Sequence, residues 1–216
     1  MTNKHHLLGE GREGKVYLLN DEAIKIYNYT CDKRRLNKED ATKLSKIKTK
    51  RILTPTRIFL DKEKEIKGYS TKYIENLNIN NLLILKRELL LKELSILKED
   101  LLLLSDNNIL VEDFNKDNTC FNNGIYLIDP GSYECDYDLD KNQILGKNIE
   151  IMNEFLLDIM AWCSHELTKN TFTDRKLTQE IFHDYIEKKY PDLIEYLKEN
   201  VKENNNISEF IYKKTK

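Results

Sequence analysis

From Leu7 to Tyr27 the apolar residues come in short runs, HHLLGEG, KVYLL and AIKIY, separated by glycines on one side and by Asn20-Asp21 on the other. Short apolar runs of this kind, broken by turn formers, predict three strands joined by a glycine turn and a tight turn. A polar stretch over about Asp32–Lys48 follows, with Leu36, Leu44 and Ile47 as a sparse inward face, and predicts a helix. Two further strands fit RIFLD and GYSTKYI, with the charged DKEKEIK as the turn between them.

After Asn76 the period changes. Leu90, Leu94, Leu97, Leu101 and Leu104 alternate in steps of four and three, the stripe of a helix packed on a core. The stripe is too short for a coiled coil. NILVEDF and GIYLID then read as two short strands around the polar NKDNTCFNN. The rest is mainly helical: NIEIMNEFLLDIMAWCSHEL, then KLTQEIFHDYIEKKY, then a helix opened by Pro191, whose fixed φ suits a first turn. Strands first and helices afterwards predict an α+β architecture.

Composition narrows the class. At 216 residues the chain is long enough for one domain with its own core. Its 35 basic and 37 acidic residues nearly cancel, so no global field recommends nucleic acid or an anionic membrane as a partner. The leucine-rich stretch Leu82–Leu104 is crossed by Lys86, Arg87, Glu88, Lys92, Glu93, Lys98, Glu99 and Asp100, too many charges for a membrane span. Cys31, Cys120, Cys135 and Cys163 form no C-x-x-C pair, and the N-terminus has no apolar signal core. The expected compartment is the reducing cytoplasm.

The candidate chemistry begins in the first turn. Gly9-Glu10-Gly11-Arg12-Glu13-Gly14-Lys15-Val16 matches G-x-G-x-x-G-x-V. A dinucleotide-binding turn shares the glycine spacing but opens a helix, whereas these glycines lead into the β-like KVYLL and AIKIY. Glycines at a strand-loop-strand bend let backbone N–H groups lie over phosphates. In Ala23-Ile24-Lys25-Ile26, alternation puts the isoleucines on one face and Lys25 on the other, beneath the loop. A buried lysine needs an anion; Glu39 on the following helix is the candidate, with Asp40 its competitor by one residue of register.

This series resembles the protein-kinase superfamily, over about the first 135 residues: the glycine loop, Ala23-Ile24-Lys25, Glu39, Asp113 to Asn118, and Asp129-Pro130-Gly131, in order. The resemblance implies a two-lobed protein-kinase-like fold within one domain spanning 1–216, with a small β-rich N-lobe to about residue 75 and a shortened, mainly helical C-lobe from about 76. It implies ATP as cofactor, held by Gly9, Glu10, Gly11, Gly14, Val16, Ala23, Lys25 and Glu39, with backbone groups of Lys72 and Ile74 at the adenine and Thr71 or Ser70 near the gatekeeper position. It implies Mg²⁺ on Asn118 and Asp129, hard oxygen donors, with Asp113 and Lys25 as catalytic residues.

Two alignments of the catalytic loop compete. Reading Asn108-Ile109-Leu110 as the close of the loop puts the base position on Leu103 and describes a pseudokinase, a nucleotide-binding interaction module. Reading Asp113-Phe114-Asn115-Lys116-Asp117-Asn118 as the loop makes Asp113 the base. The second is preferred, because Leu103 belongs to the leucine-rich helix and Asn118 reaches Asp129 through a tight hairpin over FNNG. Asp158-Ile159-Met160-Ala161-Trp162 is similar to the D-I-x-S run that anchors that loop in the family.

The departures bear on the substrate. Val111-Glu112 replaces the usual His-Arg, Asn115 the lysine of serine/threonine kinases, and Pro130 the phenylalanine of D-F-G. No A-P-E follows, and Gly131 to Lys147 is short and acidic, so no activation-loop phosphorylation switch is expected. The expected activity is phosphotransfer to an alcohol, on a protein serine or threonine, or on a small molecule as in the aminoglycoside and choline kinases.

Overall fold

The computed structural model describes residues 6–28, 36–76, 87–171, 187–188 and 191–200. The N-terminal region is one antiparallel sheet built from β1 (His6–Glu10), β2 (Gly14–Leu19), β3 (Glu22–Tyr27), β4 (Arg57–Leu60) and β5 (Ile66–Lys72), in the order β1-β2-β3-β5-β4. β3 is therefore central, with Lys25 opposite Val16 on one side and Tyr69 on the other. Its burial inverts the usual hydrophobic pattern: Lys25 and Tyr27 are buried, whereas Ile26 is exposed. The close spacing of β3 to its neighbours needs Gly14, since a Cβ there would lie 2.2 Å from the Ile26 carbonyl oxygen.

Helix α1 is shorter than the sequence predicts, Lys38–Leu44, capped by Asn37, whose side chain accepts the Asp40 amide. The earlier part of that predicted helix, up to Arg35, lies outside the described residues. The leucine-rich helix, α2, runs Arg87–Asp106 and buries Leu94, Leu97, Leu101 and Leu104. It ends where Asn108 adopts a left-handed conformation with φ of 58°, a role asparagine tolerates.

Beyond α2 come β6 (Ile109–Leu110), a 3-10 turn at Lys116–Asn118, and the hairpin of β7 (Thr119–Phe121) and β8 (Ile125–Leu127). A second turn at Pro130–Ser132 leads to β9 (Glu134–Cys135), which pairs antiparallel with β6. The segment after Gly131 is thus tied back to the start of the Asp113 loop. Helix α3 spans Lys141–Thr171 and starts earlier than Asn148, the expected start. Asp140 explains the extension: its carboxylate accepts the Asn142 and Gln143 amides, and Gln143 returns a bond to the Asp140 amide, a capping box. Helix α4 is Pro191–Asn200, opened by proline as expected. The helix expected over Lys176–Tyr190 lies almost wholly outside the described residues.

Two buried acids on α2 fasten the sheet region to the helices. Asp100 accepts the backbone amides of Lys50, Arg51 and Ile52, three successive donors. Glu93 pairs with the Arg51 guanidinium, Nη2 to Oε1 at 2.9 Å, and also accepts the Ile125 amide. Arg51 lies over the Tyr126 ring, 4.6 Å from its centroid. One hydrophobic core runs through these attachments, from Tyr27, Leu44 and Tyr69 on the sheet side to Leu97, Phe114 and Phe155 on the helical side. No helix among the described residues is long and apolar enough to cross a membrane.

Candidate functional site

Lys25 projects from the centre of the sheet into a cavity of about 430 Å³ between the two regions. Its amine contacts two carboxylates, Asp129 Oδ2 at 2.6 Å and Glu13 Oε2 at 2.9 Å. Burial alone lowers a lysine pKa, but attraction from Asp129 and Glu13 outweighs it, so the ammonium form is held above the ordinary lysine value. The other oxygen of Asp129, Oδ1, accepts the Tyr69 hydroxyl and the Gly131 amide. Burial, reinforced by the Asp129 charge, pushes Tyr69 well above the ordinary tyrosine pKa, so it remains a donor.

The cavity wall joins the sheet to the loops beyond α2. Gly9, Val16, Ala23, Thr71, Lys72, Tyr73 and Ile74 line one side, and Asn118, Cys120, Ile128 and Asp129 the other. A Cβ added at Gly9 would meet nothing within 4 Å, which leaves the backbone there open to a ligand. The loop tip is closed by a Gly11 amide bond to the Gly14 carbonyl, and Asn28, just after β3, holds it, its amide bonding the Glu13 carbonyl at 2.8 Å. This closure brings Glu13 over Lys25.

Asp113 sits at the end of a tightly bonded loop. Its carboxylate accepts Asn115 Nδ2 at 2.6 Å and Asn118 Nδ2 at 3.0 Å. The Asn115 side chain in turn accepts the Asp117 and Asn118 amides, winding the 3-10 turn. Asn118 is tied to the metal-candidate turn through its carbonyl, which accepts the Ile128 amide at 2.9 Å. The Asn118 amide nitrogen faces Asp113, so its oxygen is the end left for other partners. From below, Phe114 stacks on Phe155 of α3 with ring centroids 4.4 Å apart. Fully buried Asn148 accepts the Val111 amide and donates to Ser105 Oγ and the Ile109 carbonyl.

No protein-family model matches the chain, and no curated protein matches it in sequence. Its structure is similar to the kinase domain of PknI from Mycobacterium tuberculosis, solved as a crystal structure of a cysteine-to-alanine mutant. The TM-score is 0.51 at 15% identity, over 69% of this chain and 71% of that one. The chain has a protein-kinase-like fold.

Within the kinase-like fold most of the residues singled out in the sequence meet. Gly9, Val16, Ala23, Lys25, Lys72, Ile74, Asn118 and Asp129 line one cavity. Of the two gatekeeper candidates Thr71 lines it, while Ser70 turns to Thr56 on the opposite face. Asp113 lines an adjoining cavity with Gly131. Three loop residues stay outside: Glu10 is exposed and paired with Lys15, Gly11 is exposed, and Gly14 is buried against Ile26. Leu103 lies inside α2, not in a loop.

Glu39 requires correction. It is exposed on α1, and neither it nor Asp40 meets Lys25. Asp40 is buried elsewhere, accepting Asn37 Nδ2 and the Cys135 amide, because the first turn of α1 faces β9. The acid beside Lys25 from the N-terminal region is Glu13. A carboxylate inside a loop expected to lie over the lysine was the available signal. Tyr69 was also missed; its signal is register, since pairing Thr71 with Ala23 sets Tyr69 on the Lys25 face. Asn148 braces the strand that leads into the Asp113 loop; the side chain of Asp158, expected to anchor that loop, is outside those described.

Proposed function

We propose that this protein is an ATP- and Mg²⁺-dependent phosphotransferase acting on an alcohol, in the first instance a divergent serine/threonine protein kinase. The observation that carries the reading is the meeting of Lys25, Asp129 and Asn118 at one cavity with Asp113 in the adjoining one: Lys25 bonds Asp129, Asn118 bonds Asp113, and the Asn118 carbonyl accepts the Ile128 amide next to Asp129. The donor chemistry fits the cofactors: a lysine ammonium for phosphate oxygens, hard amide and carboxylate oxygens for a divalent cation, and an apolar-walled cavity within the usual size of ligand sites.

Asn118 and Asp129 would hold Mg²⁺, which when bound offsets charge developing on the transferred group. Lys25 and the loop around Gly9 orient the phosphates, and backbone groups of Lys72 and Ile74 meet the adenine. Asp113, held by Asn115 and Asn118, accepts the proton of the acceptor hydroxyl or orients it for in-line attack. The reading takes residues 1–216 as one domain with its lobe boundary near residue 75, working in the cytoplasm, where the free thiols of Cys120 and Cys135 stay reduced.

A second acceptor class is favoured by one observation. The cavity of about 470 Å³ beside Asp113 is walled by Asp40, Glu112 and Glu134. Burial pushes the Glu134 carboxyl up, and the charges of Glu112, Asp136 and Asp40 push it the same way. A small polyhydroxylated amine suits such a wall.

Incubation with labelled ATP and Mg²⁺, with a generic protein substrate in one arm and an aminoglycoside in the other, tests the reading. Phosphate transfer in one arm, abolished by Asp129→Ala, is expected. Unchanged turnover in that variant sinks the assignment, and tight ATP binding without transfer replaces it with a pseudokinase.

A further inference from the structure

Asp129 divides its two oxygens between donors of different kinds. Oδ1 receives the Tyr69 hydroxyl and, at 3.1 Å, the Gly131 amide. Both donors are fixed. Tyr69 is 3% exposed and packs edge to face on Tyr27, with centroids 6.0 Å apart, and Gly131 is buried in its 3-10 turn. Among the described residues Oδ2 receives one donor, the Lys25 amine. That donor stands on a flexible stem and has a second acceptor in Glu13. An ionised carboxylate offers about four lone-pair sites. Oδ1 is therefore saturated, and Oδ2 retains room for one more partner.

We infer that Tyr69 is a positioning residue for divalent-cation binding: its hydroxyl holds Asp129 Oδ1 so that Oδ2 is the oxygen turned to the cation. The inference rests on the phosphotransfer reading of this site and adds a residue to it. The β3–β5 register sets Tyr69 opposite Lys25, so one sheet supplies the cationic partner of Oδ2 and the neutral partner of Oδ1. Mg²⁺ demands near-ideal octahedral geometry, so a carboxylate free to swing would bind it with a larger ordering cost. Outer partners of metal ligands commonly carry about 10- to 100-fold in metal affinity.

The test uses the full chain and a fluorescent ADP analogue, read by anisotropy while MgCl₂ is titrated. Tyr69→Phe keeps the ring packing and loses the hydroxyl. The expected result is an apparent Mg²⁺ dissociation constant raised about tenfold, with nucleotide affinity in EDTA unchanged. Tyr133→Phe is the comparison variant, since it removes a buried hydroxyl that has no hydrogen-bond partner among the described residues; it is expected to keep the wild-type Mg²⁺ dependence. A wild-type Mg²⁺ dependence in Tyr69→Phe, or an equal loss in both variants, overturns the inference. Failure of Tyr69→Phe to fold does so too, because the hydroxyl would then serve stability. If the wild-type chain binds no nucleotide at any Mg²⁺ concentration, the phosphotransfer reading itself falls. A nucleotide-binding wild type with an indifferent Tyr69→Phe leaves that reading standing and removes only the inference.

Discussion

Asp113 has a φ of 60°, in the left-handed region that non-glycine residues adopt at a cost. Such strain is of order 1–3 kcal/mol and persists where surrounding bonds over-determine it. Here those bonds are the side chains of Asn115 and Asn118. Asparagine tolerates the same conformation, so Asp113→Asn separates chemistry from shape. It is expected to lower phosphate transfer by about 10²-fold or more while leaving the melting temperature within a few degrees, as read by circular dichroism and a radiolabel assay on the same sample. At this scale the sequence made individual residues legible and their partners less so. Lys25 could be picked out because alternation along Ala23–Ile26 isolates it. Its partner could not: the choice lay between Glu39 and Asp40 on the helix, and Glu13 comes over the lysine only through the loop closure. The closure depends on Asn28, a residue with no motif of its own. Tyr69 was hidden for a related reason: facing residues across a sheet are set by register, and register is not written in either strand alone.

Among the elements, the five strands of the sheet and the leucine-rich helix could be read from periodicity, since each has a run long enough to show its period. Of the short strands, β6 and β8 are legible in NILVEDF and GIYLID, whereas β7 and β9 are not. β9 is two residues and exists because β6 offers it a partner. The early start of α3 rests on one reciprocal pair of bonds, Asp140 with Gln143, in a segment whose acidic character suggested a loop. The same holds for Glu93 and Asp100, which look like the solvated charges of an amphipathic helix but are 1% and 3% exposed. Asp100 is the acceptor for three consecutive amides, so Asp100→Ala leaves several donors without their partner. A loss of about 3 kcal/mol in unfolding free energy is expected, measured by urea titration. A much smaller loss would show that water replaces the carboxylate at Lys50–Ile52.

At the scale of the molecule, the order of strands and helices was enough to anticipate an α+β chain with a β-rich beginning, and the likeness to a solved kinase domain bears out the fold. What order could not supply is how firmly the two regions are joined. The core is continuous from Tyr27 to Phe155, and the Asp100 bonds cross the same boundary. The expectation is one cooperative unfolding transition, with circular dichroism and the fluorescence of Trp162 in α3 following the same curve. Two separated transitions would mean that the sheet region melts on its own. The attachments carry a mechanical consequence as well. The sheet region is fastened to the helical region at Lys50–Ile52 by Asp100, and at Asn76, whose side chain accepts the Phe121 amide. Two fixed points define a line. A rotation about the line through those two points would carry the Gly9 loop along an arc while Asp100 and its three amides stayed at the pivot. It would have to break the Asp40–Cys135 and Tyr69–Asp129 bonds, which also join the regions.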